Sequence, residues 1–106
     1  MKTVYIASPY TKGDVALNVR KSLEVADMLW ESGFIPYAPL LTHFWHLIIP
    51  HEPDFWYALD NEWVIRCDCL LRLEGESTGA DNEVKLAIEK GIPVYYSIGD
   101  LIRWEY

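Results

Sequence analysis

Two acids, Glu83 and Asp60, are the side chains through which this sequence points to chemistry. Glu83 closes the run Glu76-Ser77-Thr78-Gly79-Ala80-Asp81-Asn82-Glu83, which follows a strand-like segment and opens a helix. An acid held near the positive end of a helix dipole is expected to stay ionised and fixed in place. A fixed anionic carboxylate at the mouth of an α/β sheet is what covalent attack on a sugar carbon requires. Asp60 lies 23 residues earlier, on a predicted helix where i, i+3, i+4, i+7 spacing groups it with Trp56, Trp63, Val64 and Cys67. A carboxylate on such a stripe must be paired, protonated or functional, because burying it alone is costly. Two readings stay open. Asp60 caps or pairs with a backbone group, or it is a general acid/base of raised pKa beside an ionised Glu83. Two carboxylates whose surroundings drive their pKa values apart are a recurring catalytic pattern.

Smaller polar residues gather near these acids. Ser77 serves as the N-cap of the helix bearing Glu83, as an additional donor for an anion at the helix N-terminus, or as both. Gly79 lets a ligand approach the backbone or relieves a tight turn. Ser8-Pro9-Tyr10 forms the loop after the first strand, and alternation puts Tyr5 and Ala7 on one face, Val4 and Ile6 on the other. Tyr5 is a core residue or aims its hydroxyl at a carboxylate. Lys12 and Arg20 are the nearest cations, solvated or available to a phosphate. His43, His46 and His51 match no strong zinc spacing, so no metal and no cofactor is expected, and these rings stack on a base or pack against another subunit.

The elements that must position these groups follow from periodicity and punctuation. Thr3 to Ala7 reads as a buried strand, and Asp14 caps a helix that runs to about Ser32 and stops at Gly33. Phe34 to Ala38 reads as a second strand. Leu40 to Asp54, aromatic, His-rich and broken by prolines, reads as a long functional loop with at most a helical turn. Asp54 caps a helix over 55–66, Cys67 to Leu73 is a third strand, and Thr78 to Lys90 is a helix stopped by Gly91. Ile92 to Ser97 is a fourth strand, and 99–106 a short helix or tail. Alternating strands and helices predict one α/β domain over 1–106, a Rossmann-like (flavodoxin-like) three-layer sandwich around a mainly parallel four-stranded sheet. Ligands of such sheets bind beyond the carboxyl ends of the strands, where loops 8–13, 39–54 and 74–80 meet.

Composition narrows the partners. The net charge of −7 over 106 residues argues against binding a nucleic-acid polymer, but leaves a nucleotide monomer open. Cys67 and Cys69, read as lying on one face of a strand, are expected to be buried thiols in a reducing cytoplasm. No signal peptide or membrane span is recognised in the sequence. The aromatic load of 44–57 exceeds what one small core hides, so a homo-oligomer, a dimer or higher, is expected.

Three motifs together carry a resemblance. They are Val4-Tyr5-Ile6-Ala7-Ser8-Pro9-Tyr10; Asp60 placed eight residues before Asp68 of Cys67-Asp68; and Ser77-x-Gly79-Ala80-x-x-Glu83 with Ala87 and Gly91-Ile92-Pro93-Val94. In this the chain resembles the nucleoside 2-deoxyribosyltransferase superfamily, above all a small family within it typified by a Tyr-Ile-Ala-Ser-Pro-Tyr start. The resemblance implies that Glu83 attacks the anomeric carbon of a 2-deoxyribosyl group, that Asp60 is the acid/base for the base, and that Tyr5 positions the nucleophile. At position 77 the transferases resemble one another in carrying Asp, and the related deoxynucleoside 5′-monophosphate N-glycosidases in carrying Ser; Ser77 therefore leans toward a nucleotide. The Arg-Gly-rich first loop of those glycosidases is replaced here by Pro9-Tyr10-Thr11-Lys12, and the fifth strand of larger members has no counterpart before Tyr106. Cleavage or transfer at an N-glycosidic bond is the first expectation. A non-catalytic nucleotide-binding module is the alternative, and an oligomerising structural domain a third.

Overall fold

Period-two alternation in the first strand decides the layering. The computed structural model describes residues 1–106 as β1 (Thr3–Ala7), α1 (Val15–Glu31), β2 (Ile35–Tyr37), a 3-10 turn (Pro39–Leu41), α2 (Thr42–Ile48), α3 (Pro53–Val64), β3 (Cys69–Arg72), α4 (Thr78–Glu89), β4 (Val94–Tyr95) and α5 (Ile98–Glu105). Val4 and Ile6 point into a core with Val25 and Leu29 of α1 and Leu101 of α5. Tyr5 and Ala7 point the other way, against Val64 of α3 and Ala80, Val84 and Ala87 of α4. The result is a Rossmann-like three-layer α/β sandwich. All four strands are parallel, in the order β2-β1-β3-β4. The chain leaves β1 for β2 on one side and then returns to β3 on the other, so the switch point lies between the carboxyl ends of β1 and β3.

Local chemistry accounts for the ends. Asp14 accepts the Leu17 N–H at 3.1 Å, Ser77 that of Ala80 at 3.0 Å and Ser97 that of Asp100 at 3.1 Å, each satisfying a first-turn donor. At the start of the sheet, Asp68 Oδ2 accepts from the Thr3 N–H at 2.8 Å and from its hydroxyl at 3.1 Å. The Asp68 N–H in turn donates to Thr3 Oγ1 at 3.0 Å. This clamp sets the β1–β3 register, which runs Val4 to Cys69 through Ala7 to Arg72.

Four expectations need correction. The 40–54 segment is not a loop: its prolines punctuate helices instead of breaking them. Pro39 opens the 3-10 turn, whose carbonyl accepts the Thr42 hydroxyl at 2.7 Å, and Pro53 is the first residue of α3, where a missing N–H costs nothing. The third helix therefore starts at Pro53, and Asp54 lies inside its first turn. The outer strands are shorter than predicted, because Val94 and Tyr95 alone find partners on β3 and Ser97 already caps α5. Cys67 and Cys69 do not share a face. Cys67 sits before β3 in the α3/α4 core and Cys69 in the α1/α5 core; both are free thiols. No helix is long and apolar enough to cross a membrane.

Because the Asp68 carboxylate accepts two of these hydrogen bonds, Asp68→Ala is expected to destabilise the chain by about 1–2 kcal/mol. A lowered urea midpoint at unchanged m-value is the expected readout.

Candidate active site

At the switch point the loops after β1, β2 and β3 diverge and leave a cleft of about 480 Å³. Ser8, Tyr10 and Lys12 come to it from the first loop, His43 and His46 from α2, Trp56, Tyr57 and Asp60 from α3, and Ser77, Gly79 and Glu83 from α4 and its cap. Both predicted acids therefore line one space. A depression of about 530 Å³ on the outer face of α1 holds Arg20, which pairs there with Glu24 at 2.8 Å and has no place in the cleft.

Glu83 is set by the sheet. Tyr5, wholly buried on β1, donates its hydroxyl to Glu83 Oε2 at 2.6 Å. Tyr5 does not line the cleft; it stands behind the carboxylate. Its ring leans on Tyr37, on which Trp63 stacks at 4.6 Å between centroids. Asp60 Oδ1 and Ser8 Oγ are buried at the cleft wall with no hydrogen-bond partner in the protein.

The charge state differs from the expected one. Burial pushes Glu83 up to about 8, and the nearby Asp60 adds to the rise, while the Tyr5 hydrogen bond and the Arg72 charge oppose it. Burial also pushes Asp60 up to about 7. Burial thus disfavours the charged form of both acids. The dipole argument fails on position: Glu83 is the sixth residue of α4, beyond the first turn where the dipole acts, and 8% exposed with a single donor.

The remaining predicted residues divide. Tyr10 hydrogen-bonds through its hydroxyl to His43 Nδ1, so the two form one wall. His46 Nδ1 accepts from Trp56 Nε1 at 3.0 Å and from the His51 N–H at 3.3 Å, which places its own proton on Nε2. His51 stacks on Phe55 at 3.7 Å. His46 and His51 thus share one cluster around Trp56 while His43 pairs with Tyr10, and no group of three or more His, Cys, Asp or Glu side chains is placed to hold a metal ion. Ser77 caps α4, and Gly79 faces Tyr57, whose Cε1 a methyl group there would meet at an ordinary 3.5 Å. Pro9 is buried and does not line the cleft. It packs on Gly75, whose φ is +117° and where a Cβ would fall 2.8 Å from Pro9 Cγ, leaving no room for a side chain.

Two supporting residues have no role in the sequence-based expectations. Asn18 donates to the carbonyls of Tyr10 at 3.0 Å and Lys12 at 2.8 Å, bracing the first loop. Arg72, buried at the end of β3, donates to the carbonyls of Leu73 and Gly75 and to Asp81 Oδ1. A lone cation ending the apolar run Cys69-Leu70-Leu71 was the available signal for Arg72; nothing marks Asn18 among the polar residues of α1.

Because both acids bind protons more tightly folded than unfolded, stability falls as pH rises, for Asp60 from about 4 to 7 and for Glu83 from 4.5 to about 8. Urea unfolding across pH 4.5–8.5 is expected to show this decline in the wild type. Glu83→Gln, which cannot ionise, is expected to show a flatter one and the greater stability at pH 8.5.

A solved 2-deoxyribosyltransferase from the psychrotolerant bacterium Bacillus psychrosaccharolyticus, described as a biocatalyst for nucleoside synthesis, has a similar structure. It aligns with a TM-score of 0.66 over 87% of this chain and 69% of that one, at 19% identity, which is a likeness of fold. No curated protein matches the sequence. Residues 2–97 match a family model described as "Domain of unknown function (DUF7768)", and the chain belongs to that family.

Proposed function

We propose that the chain cleaves or transfers at the N-glycosidic bond of a 2′-deoxynucleoside or its 5′-monophosphate. The observation that supports this most is that Ser8 Oγ and Asp60 Oδ1 are both left without partners at one cleft. These are the two buried side-chain polar atoms that find no partner within the protein, and both border the cleft that Glu83 lines. A buried polar group without a partner costs about 1–3 kcal/mol, and a polyhydroxylated ligand supplies partners. The nucleoside chemistry of the structural neighbour, named for 2-deoxyribosyl transfer, agrees with such a ligand.

In this reading substrate binds with one proton on the acid pair. That proton sits on Asp60 and Glu83 is ionised, the distribution that the Tyr5 hydrogen bond favours. A Glu83 oxygen bonds to C1′ as the C1′–N bond breaks. The bonding pair leaves with the base, and Asp60 gives its proton to that base. The resulting glycosyl ester is released when Asp60 takes a proton from an attacking water, which gives hydrolysis, or from a second base, which gives transfer. The aromatic wall of Trp56, Tyr57 and His43 offers faces for the base. A 5′-phosphate fits the N-terminus of α4, where Thr78 and Gly79 N–H groups lie in the unpaired first turn beside the Ser77 hydroxyl and Lys12.

One observation favours the non-catalytic alternative. A Glu83 pushed up to about 8 is a hydrogen-bond donor at neutral pH, suited to holding a ligand without attacking it. The chain is further proposed to form a homodimer, because Phe44, Leu47, Ile48 and Ile49 turn an apolar face of α2 and its end to solvent. Sedimentation at micromolar concentration is expected to show a dimer; a monomer removes this element.

Incubation with deoxynucleosides and their 5′-monophosphates is expected to release free base. Glu83→Ala is expected to lower turnover by orders of magnitude while ligand affinity persists, and Asp60→Asn to lower it by about 10²–10⁴-fold. Nucleotide-induced thermal stabilisation without base release from any substrate selects the binding module instead.

A further inference from the structure

The wall that α2 and α3 turn toward the cleft holds several polar side chains, and most of them are already engaged. The Thr42 hydroxyl donates to the Pro39 carbonyl at 2.7 Å. Tyr10 and His43 engage each other. His51 lies flat on Phe55, and no hydrogen bond of the protein fixes its ring hydrogen. Trp56 gives its indole N–H to His46 Nδ1 at 3.0 Å, and the His51 N–H reaches the same nitrogen at 3.3 Å. A ring nitrogen that accepts from two donors carries no hydrogen, so His46 carries its hydrogen on Nε2.

That Nε2–H has no partner in the protein. It is also not sealed off, since the two buried side-chain polar atoms lacking partners are Ser8 Oγ and Asp60 Oδ1. The ring borders the cleft. Its orientation is fixed: a flipped ring would set a carbon against the Trp56 N–H, and the indole meets the imidazole edge-on with centroids 5.6 Å apart. Its tautomer is fixed as well, because a hydrogen moved to Nδ1 would face two donors. Among the polar groups of this wall, His46 is therefore the donor whose hydrogen the protein itself places. Trp56, which holds it, stands at i and Asp60 at i+4 on one face of α3, about 6 Å apart along the axis. The donor thus sits beside the acid that serves the base.

We propose that His46 is a specificity-determining residue that donates its Nε2–H to an exocyclic oxygen of the base, so that the cleft takes oxo bases in preference to amino bases. This rests on the reading of the cleft as a nucleoside site. Hypoxanthine and adenine, like uracil and cytosine, differ chiefly in carrying an oxygen or an amino group at one ring position, an acceptor in one case and a donor in the other. The oxygen accepts the Nε2–H. The amino group sets donor against donor, and the locked tautomer cannot turn Nε2 into an acceptor to relieve it. A polar contact built for one partner discriminates mainly by what it leaves unpaired with the other.

The test reads affinity by calorimetry in Glu83→Ala, which leaves the ligands intact and removes leaving-group chemistry from the comparison. The ligands are deoxyinosine against deoxyadenosine and deoxyuridine against deoxycytidine, as nucleosides and as 5′-monophosphates. The oxo member of each pair is expected to bind about tenfold more tightly. His46→Gln and His46→Asn are then added to the same background. Glutamine keeps an N–H near the position of Nε2 and is expected to retain most of the preference. Asparagine keeps an acceptor near the position of Nδ1 but no donor beyond it, and is expected to bring each ratio to within about twofold of unity. Equal affinities within the pairs, or tighter binding of the amino member, overturn the proposal. So does a preference that survives undiminished in His46→Asn. A preference lost equally in both variants assigns His46 to shaping the wall alone and also overturns it. If neither histidine variant folds, the ratio in Glu83→Ala decides. Binding of none of these ligands defeats the proposal together with the nucleoside reading. Oxo-selective binding by a protein whose wild type releases no base defeats the glycosidase reading and leaves this proposal standing.

Discussion

One hydrogen bond, from the Tyr5 hydroxyl to Glu83, joins residues 78 positions apart and ties a helix side chain to the middle of the sheet. Its position gives it weight. β1 is flanked by β2 on one side and β3 on the other, so Tyr5 cannot shift unless the sheet does. The carboxylate is thereby tied to an interior strand of the sheet. The same bond meets the need of a fully buried phenol for an acceptor, so breaking it would strand polar groups on both sides. Asp60, by contrast, is placed by helix packing alone, through Val64 one turn further along α3. One acid is tethered and the other is left with an unused oxygen. On the proposed reading this division suits the two acids, since a nucleophile must be held and a proton carrier needs a free site for the atom it serves.

The electrostatics follow from the same geometry. Enclosing two carboxylates in one cleft raises both, and the nearby Asp60 adds to the rise of Glu83. The pair therefore holds a proton in reserve near neutrality. Filling the cleft changes the solvation that governs where that proton rests. The neighbouring strand β1 supplies an opposing influence, the phenolic donor of Tyr5.

Where local chemistry decides structure, the sequence could be read directly. Asp14 and Gly33 bound α1 as expected, and Ser77 and Gly91 bracket α4. Alternation in Thr3–Ala7 identified both faces of β1 and so the side on which Tyr5 meets α4. The gathering of Ser8, Tyr10, His43, Asp60, Ser77, Gly79 and Glu83 around one cleft follows from parallel topology, which sends the loops after β1, β2 and β3 to one edge. What stayed hidden depended on tertiary context. Pro50 and Pro53 mark the gap between α2 and α3, yet in the sequence they look like breaks within a loop. The titration of Glu83 depends on enclosure by α3 and β3, which no propensity encodes. Asn18 acts through backbone carbonyls, and such partners carry no residue-type signature.

The ends of the sheet carry a consequence of their own. β4 is two residues long, and the opposite border, β2, is three residues long with Pro36 at its centre. A border strand this brief, or one lacking an amide hydrogen midway, is a poor template for β-augmentation by another polypeptide. Both lateral borders of the molecule are thus blunted against fibrillar stacking. Contacts between copies are left to the helical surfaces, where the apolar side chains of α2 already face outward.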